Sequence, residues 1–289
     1  MLHVVTVHWN DEAWIEPQLR FLRENAPADH RVYASLNGID DSFAEQFHYA
    51  ADLEGMHASK LNQLAQVVRE DAEPDDLLLF LDGDAFPIAP LDRDLLGGLP
   101  LAAVRRSENL GDRQPHPCFC LTTVGFWFDI EGDWRRGYEW ESSIGVPVTD
   151  VGGNLLGNLT ERNIEWRPLL RSNRVNLDPL WFGIYGDVAY HHGAGFRRKI
   201  ARHVELVGSS EVRAAPLKAR IPASVPLLGR AERSVRSRVA RRSADRRVEA
   251  AAQESELLSR EVFGWIQTEP EFYRRFLDDP ATVAGGDAL

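Results

Sequence analysis

Residues 75–90 read Asp75-Asp76-Leu77-Leu78-Leu79-Phe80-Leu81-Asp82-Gly83-Asp84-Ala85-Phe86-Pro87-Ile88-Ala89-Pro90. The five apolar residues Leu77–Leu81 form an unbroken run, the pattern of a strand buried on both faces of a parallel sheet. The run stops at two carboxylates separated by one glycine. Alternation puts Asp82 and Asp84 on the same side of an extended chain. Gly83 leaves the backbone free to bend and lets a ligand approach closely. Acids at the carboxyl end of a central strand lie where open α/β sheets hold their ligands. Their chemistry suits a hard divalent cation carrying phosphate oxygens, Mg2+ or Mn2+. Asp-Gly is also a common turn, so the surrounding chain has to decide between the two readings.

Working outward, the segments before this stretch alternate strand and helix. His3–Trp9 is rich in β-branched residues and ends at the turn and cap signal Asn10-Asp11. Trp14, Ile15, Leu19 and Leu22 fall on one helical face, and Pro27 and Asp29 end that helix. Arg31–Leu36 is a second strand, closed by Asn37-Gly38. Residues 40–56 are a polar connection. A helix follows from His57 to Val68, with Leu61, Leu64, Ala65 and Val68 on its buried face. Up to residue 90 the order is that of a doubly wound, nucleotide-binding half.

Beyond residue 90 the character changes. Leu101–Arg105 reads as a short strand, and Cys118–Ile130 as one or two aromatic-rich strands. Asp150 opens a helix running to Arg162, and Trp166–Leu170 and Trp181–Tyr190 are further strands. Trp134, Tyr138 and Trp140 suit a core, or a cleft where a ring stacks on a sugar. From Arg230 to Gln267 the pattern is helical. The two cysteines, Cys118 and Cys120, would be neighbours on one strand face as buried free thiols.

Charge is uneven along the 289 residues, whose net charge is −11. Residues 196–247 hold 15 Lys/Arg against 4 Asp/Glu, a net +11, and the remainder is correspondingly acidic. Such a body lacks the basic face that nucleic-acid binding needs. No window has the run of about 20 apolar residues of a membrane helix, and no signal sequence opens the chain, so a cytoplasmic location is expected. The arginines at 230, 233, 236, 238, 241, 242, 246 and 247 have two readings. They can lie on an anionic membrane at its inner face, or they can pair with the acidic body or a second copy in a homodimer.

Taken together, Thr6-Val7-His8-Trp9-Asn10, then His57-Ala58-Ser59-Lys60-Leu61-Asn62, then Asp82-Gly83-Asp84, and far downstream His191-His192-Gly193, resemble a bacterial GT-A-type glycosyltransferase with a DXD motif. The resemblance covers residues 1–200. It implies an α/β, GT-A-like (Rossmann-like) mixed sheet flanked by helices, as a catalytic domain over 1–204 with a helical, Arg-rich extension over 205–289. It implies a nucleoside diphosphate sugar as donor, a UDP-sugar first, with Mn2+ or Mg2+ held by Asp82, Asp84 and one of His191 and His192. The acceptor would be a hydroxyl of a glycan or of a lipid-linked glycan. Thr6, His8, Asn37, His57, Lys60 and Asn62 would touch the nucleotide. Gly83 and Arg197 would approach the phosphates. Asp150 would be the base on the acceptor hydroxyl, although it reads equally as an ordinary helix cap; Glu139 and Glu141 are weaker candidates.

Two other readings compete. Haloacid-dehalogenase-like phosphatases also end an apolar strand in DxD, but normally on the first strand and with Thr or Val where this chain has Phe86. A GT-A-like scaffold that binds without turnover is the other. Its difficulty is that grouped carboxylates are costly without a cation. No P-loop signature is present.

Overall fold

The computed structural model describes residues 1–109, 111–143, 145–174, 182–193, 253 and 256–278. The chain separates into two compact units. One runs from Met1 to Gly193 and takes back the described residues from Glu269 onward. The other is Ala194–Thr268, of which residues 256–268 are described as a helix. The boundary expected at residue 204, the basic segment 213–247 and Arg197 lie outside the described residues.

Among the described residues the first unit has twelve strands. They are β1 (Leu2–Trp9), β2 (His30–Asn37), β3 (Tyr49–Ala51), β4 (Leu77–Asp82), β5 (Ala85–Pro87), β6 (Leu101–Val104), β7 (His116–Thr123), β8 (Trp140–Glu141), β9 (Pro147–Val148), β10 (Arg167–Leu169), β11 (Gly183–Tyr185) and β12 (Ala189–His191). Among the described residues they are accompanied by the α-helices α1 (Ile15–Asn25), α2 (His57–Asp71), α3 (Val124–Asp129), α4 (Gly153–Glu161) and the short α5 (Arg274–Leu277).

Seven strands form one sheet in the order β10-β6-β7-β4-β1-β2-β3. β1, β2, β3 and β4 run parallel, and β7 is antiparallel to both β4 and β6. The fold is therefore the α/β mixed sheet flanked by helices that the sequence led one to expect. β4 lies at its centre because its side chains are apolar on both faces. Leu79 and Leu81 join the cluster of Ile15, Leu19 and Leu22 from α1. Leu78 and Phe80 join the opposite cluster, with Leu61, Leu64 and Val68 from α2 and Trp127 from α3.

Three local expectations change. The polar connection contains an additional edge strand, β3, beside β2. The aromatic run after Thr123 is the helix α3, capped by the Thr123 hydroxyl, which accepts from the Phe126 N–H at 3.2 Å. Cys118 and Cys120 are both buried and free, but they fall in opposite core clusters. The cause is an irregularity in β7 opposite Ala103 and Val104, which jumps the pairing from Cys120 to His116.

A second sheet, β11-β12-β5, is antiparallel and small. Its register places His191 opposite Ala85 and Tyr190 opposite Phe86. Behind it Phe86 stacks on Phe21 at 4.4 Å between ring centroids, and its ring centre lies 5.0 Å from that of Tyr190 and 6.1 Å from that of Phe272. This aromatic knot fixes β5 and β12 against α1. Phe86→Ala should cost about 3–5 kcal/mol of unfolding free energy, read from a urea titration.

Candidate metal centre

β4 delivers Asp82 to the carboxyl edge of the sheet, and β5 begins at Ala85, so Gly83 and Asp84 are the turn between them. β12 then brings His191 back alongside this turn. The Asp84 carbonyl accepts from the His192 N–H at 3.0 Å, which locks the register. As a result His191 Nε2 stands 3.5 Å from Asp82 Oδ2 and 3.5 Å from Asp84 Oδ1. One ligand atom from each residue lies within 4.8 Å of the others. Two carboxylate oxygens and an imidazole nitrogen facing one point suit a divalent cation that also takes phosphate oxygens.

The charges agree with this picture. Burial acts to raise the Asp82 carboxyl, but His57, His116 and His191 around it outweigh burial and hold it far below the usual carboxylate range. His57 Nε2 lies 3.2 Å from Asp82 Oδ1 and is the nearest of these rings. Burial opposes charge on His191, while Cys118 and Asp84 favour it strongly enough to push its imidazole well up.

His192 is not with this group. Neighbouring residues on a strand point to opposite faces, and its ring is buried against Trp14 and Phe182, with centroids 4.6 and 4.8 Å away. Its Nδ1 lies 2.8 Å from the Tyr190 hydroxyl, and burial holds it neutral. Of the two histidines, the structure brings only His191 to the carboxylates.

The residues expected at the nucleotide divide in two. Asn37, Lys60 and His57 gather at the same sheet edge. Lys60 Nζ donates to Asn37 Oδ1, and Asn37 Nδ2 donates to Asp52 Oδ1 and to the Leu53 carbonyl. Trp9, the register partner of Asn37, ends β1 there and is 57% exposed. Thr6, His8 and Asn62 do not join them. Thr6 is wholly buried in the middle of β1. Asn62 is used as a clasp, donating to Asp133 Oδ1 at 2.6 Å and accepting from the Trp134 N–H at 3.1 Å. His8 is buried, with Nε2 3.1 Å from Gln18 Oε1.

Gly83 is also required by the packing of β1. A Cβ there would lie 2.7 Å from the Val7 carbonyl oxygen and 2.9 Å from His8 Nδ1. The missing side chain makes room for β1. Asp150 does not cap α4. The N-cap is Gly152, at φ +88°, where a Cβ would meet the Pro115 carbonyl at 2.1 Å. The Asp150 carboxylate is partly exposed and pairs with Arg136 at 3.1 Å.

Three residues at the site were missed in the sequence. Gln18 donates to the carbonyls of Asp82 and Ala85 at 2.8 and 2.7 Å. His116 has its ring centroid 5.9 Å from that of His191, and its Nδ1 accepts the Cys118 N–H that the β7 irregularity frees. Asp52 follows the unrecognised strand β3. Only Gln18 left a signal, as a polar residue inside the apolar stripe of α1.

No protein-family model matches the chain, and no curated protein matches it. Among solved structures it is similar to the apo-form glycosyltransferase GlyE of Streptococcus pneumoniae TIGR4, at 16% identity and TM-score 0.35, over 58% of this chain and 44% of that one. A second GlyE structure matches at 18% identity and TM-score 0.32, over 57% and 41%. The galactosyltransferase LgtC, in complex with donor and acceptor sugar analogs, matches at 14% identity and TM-score 0.32, over 54% of this chain and 70% of that one. The chain spans less than half the length of GlyE. Likeness at this level carries no functional argument, which rests on the site itself.

The buried histidines predict acid sensitivity. Burial lowers His8 from 6.5 to about 4. The unfolded chain therefore takes a proton that the folded one refuses. The stability from His8 is complete above pH 6.5 and is lost as pH falls toward 4, by roughly 3 kcal/mol in all. Urea unfolding at pH 7 and pH 4.5 should show this loss, and a smaller one in His8→Asn.

Proposed function

We propose that the protein is a metal-dependent glycosyltransferase, moving a sugar from a nucleoside diphosphate donor to a hydroxyl acceptor. The observation that carries this reading is the meeting of Asp82, Asp84 and His191, 107 positions apart in chain order between the last two, at the carboxyl edge of the central strand. Asp82, Asp84 and His191 hold Mn2+ or Mg2+, which when bound offsets the charge developing on the leaving diphosphate. Lys60 and Asn37 meet the nucleotide, with the exposed face of Trp9 beside them for the base or ribose. His57 keeps Asp82 ionised and aimed.

Asp150 is the base that takes the proton of the acceptor hydroxyl, and Arg136 orients its carboxylate. A UDP-sugar as donor, a hexose as the transferred group, and a glycan or lipid-linked glycan as acceptor complete the reading. A cytoplasmic enzyme that reaches an anionic membrane or a second copy through its basic segment is consistent with the charge distribution. Among the described residues no helix is long and apolar enough to cross a membrane. The phosphatase alternative needs Asp82 as a free nucleophile, and the pairs with His57 and His191 count against it.

Asp84→Asn should abolish Mn2+-dependent binding of UDP, measured by calorimetry, with the thermal midpoint of the unliganded protein nearly unchanged. His191→Ala should do the same, while His192→Phe should leave binding intact. Equal UDP binding by Asp84→Asn and wild type would sink the assignment. Asp150→Asn should lower kcat by about 10²–10⁴-fold with donor affinity unchanged, measured in a sugar-transfer assay once a thermal-shift panel of nucleotide sugars has named the donor.

A further inference from the structure

Gln18 is fully buried within α1, where a side-chain amide is tolerated only if its hydrogen-bonding groups are met. All are. Both amide hydrogens go to backbone carbonyls, those of Asp82 and Ala85. Carbonyls only accept, so the amide oxygen must face His8, and His8 must carry its proton on Nε2. One side chain thus bridges the two ends of the turn that carries both carboxylates. On another side Gly83 is closed against the Val7 carbonyl and the His8 ring. The Asp84 carbonyl is taken by the His192 N–H. The backbone of the turn is held at residues 82, 84 and 85 before any ligand arrives.

We propose that Gln18 is a positioning residue for the divalent-cation centre, fixing the separation of Asp82 and Asp84 by clamping the carbonyls at both ends of their turn. The inference rests on reading Asp82, Asp84 and His191 as a metal centre. The same helix offers its own comparison. Asn25 donates to the Phe21 carbonyl at 3.0 Å and to the Pro87 carbonyl at 3.2 Å, at the far end of β5. Both amides tie α1 to one strand, but only Gln18 holds the part that bears the carboxylates. Residues that orient metal ligands from behind are worth about 10–100-fold in metal affinity.

The test is a titration of the full chain with Mn2+ alone, free Mn2+ being read by electron paramagnetic resonance, with thermal unfolding followed in parallel. Wild type should bind Mn2+ saturably. Gln18→Met, similar in shape but without the amide, should bind about 10–100-fold more weakly. Gln18→Asn keeps the amide one methylene short; it should also weaken binding, and it carries the comparison if Gln18→Met does not fold. Asn25→Leu should lower the thermal midpoint while leaving Mn2+ affinity unchanged. Folded Gln18 variants that bind Mn2+ like wild type, or an equal loss in Asn25→Leu, would overturn the inference and leave the metal centre standing. A wild type that binds no Mn2+ would overturn both.

Discussion

The pairing of β12 with β5 is the interaction on which the site depends. β5 is only three residues long and starts one position after Asp84. Its partner arrives from more than a hundred residues downstream and sets His191 opposite Ala85. Because side chains alternate along a strand, this register decides which histidine meets the carboxylates. A slip of one position would send His191 into the aromatic knot and bring His192 to the acids. The stack of Phe86 on Phe21, and the packing of Tyr190 and Phe272 against Phe86, hold that register from the apolar side.

A second constraint acts on the same turn from the opposite direction. Two carboxylates brought together at 18% and 23% side-chain exposure repel each other, and the surrounding histidines offset that charge without holding the backbone. The backbone therefore has to be held by contacts that do not involve charge. Gln18, Gly83 and the His192 N–H supply them, each through a carbonyl or a close approach to one. His8 is part of this scaffold. Burial keeps it neutral, against the hydrogen bond to Gln18, which acts the other way.

The sheet accounts for where the rest of the polar edge lies. Parallel strands β3, β2, β1 and β4 end on the same side, so Asp52, Asn37, Trp9 and Asp82 all emerge there. α2 begins at that edge, which brings His57 to Asp82 and Lys60 to Asn37. Asn62, one turn further along α2, is already too far from the edge. It secures Asp133 and Trp134, and through them the segment leading to α4.

Much of this was legible in the residues alone. The apolar run Leu77–Leu81, bounded by Asp82-Gly83-Asp84, is a strong local signal for a buried strand ending in a ligand site. The strand–helix order before it, and the helical face of Leu61, Leu64 and Val68, follow from periodicity. What periodicity does not carry is direction in space. Nothing local distinguishes His191 from His192, or tells that Thr6 and His8 point into the core, because the register of β12 and the position of β1 are set by long-range pairing. Gly83 and Gly152 were visible as glycines, but the carbonyl of another segment that would clash with a Cβ at each exists only in the folded chain. The local sequence thus determined the strand that ends in two carboxylates and the chemistry they invite. The tertiary structure decided which imidazole joins them, which amide holds them and which side chains are spent on the core, because each choice is made by a partner distant in the chain.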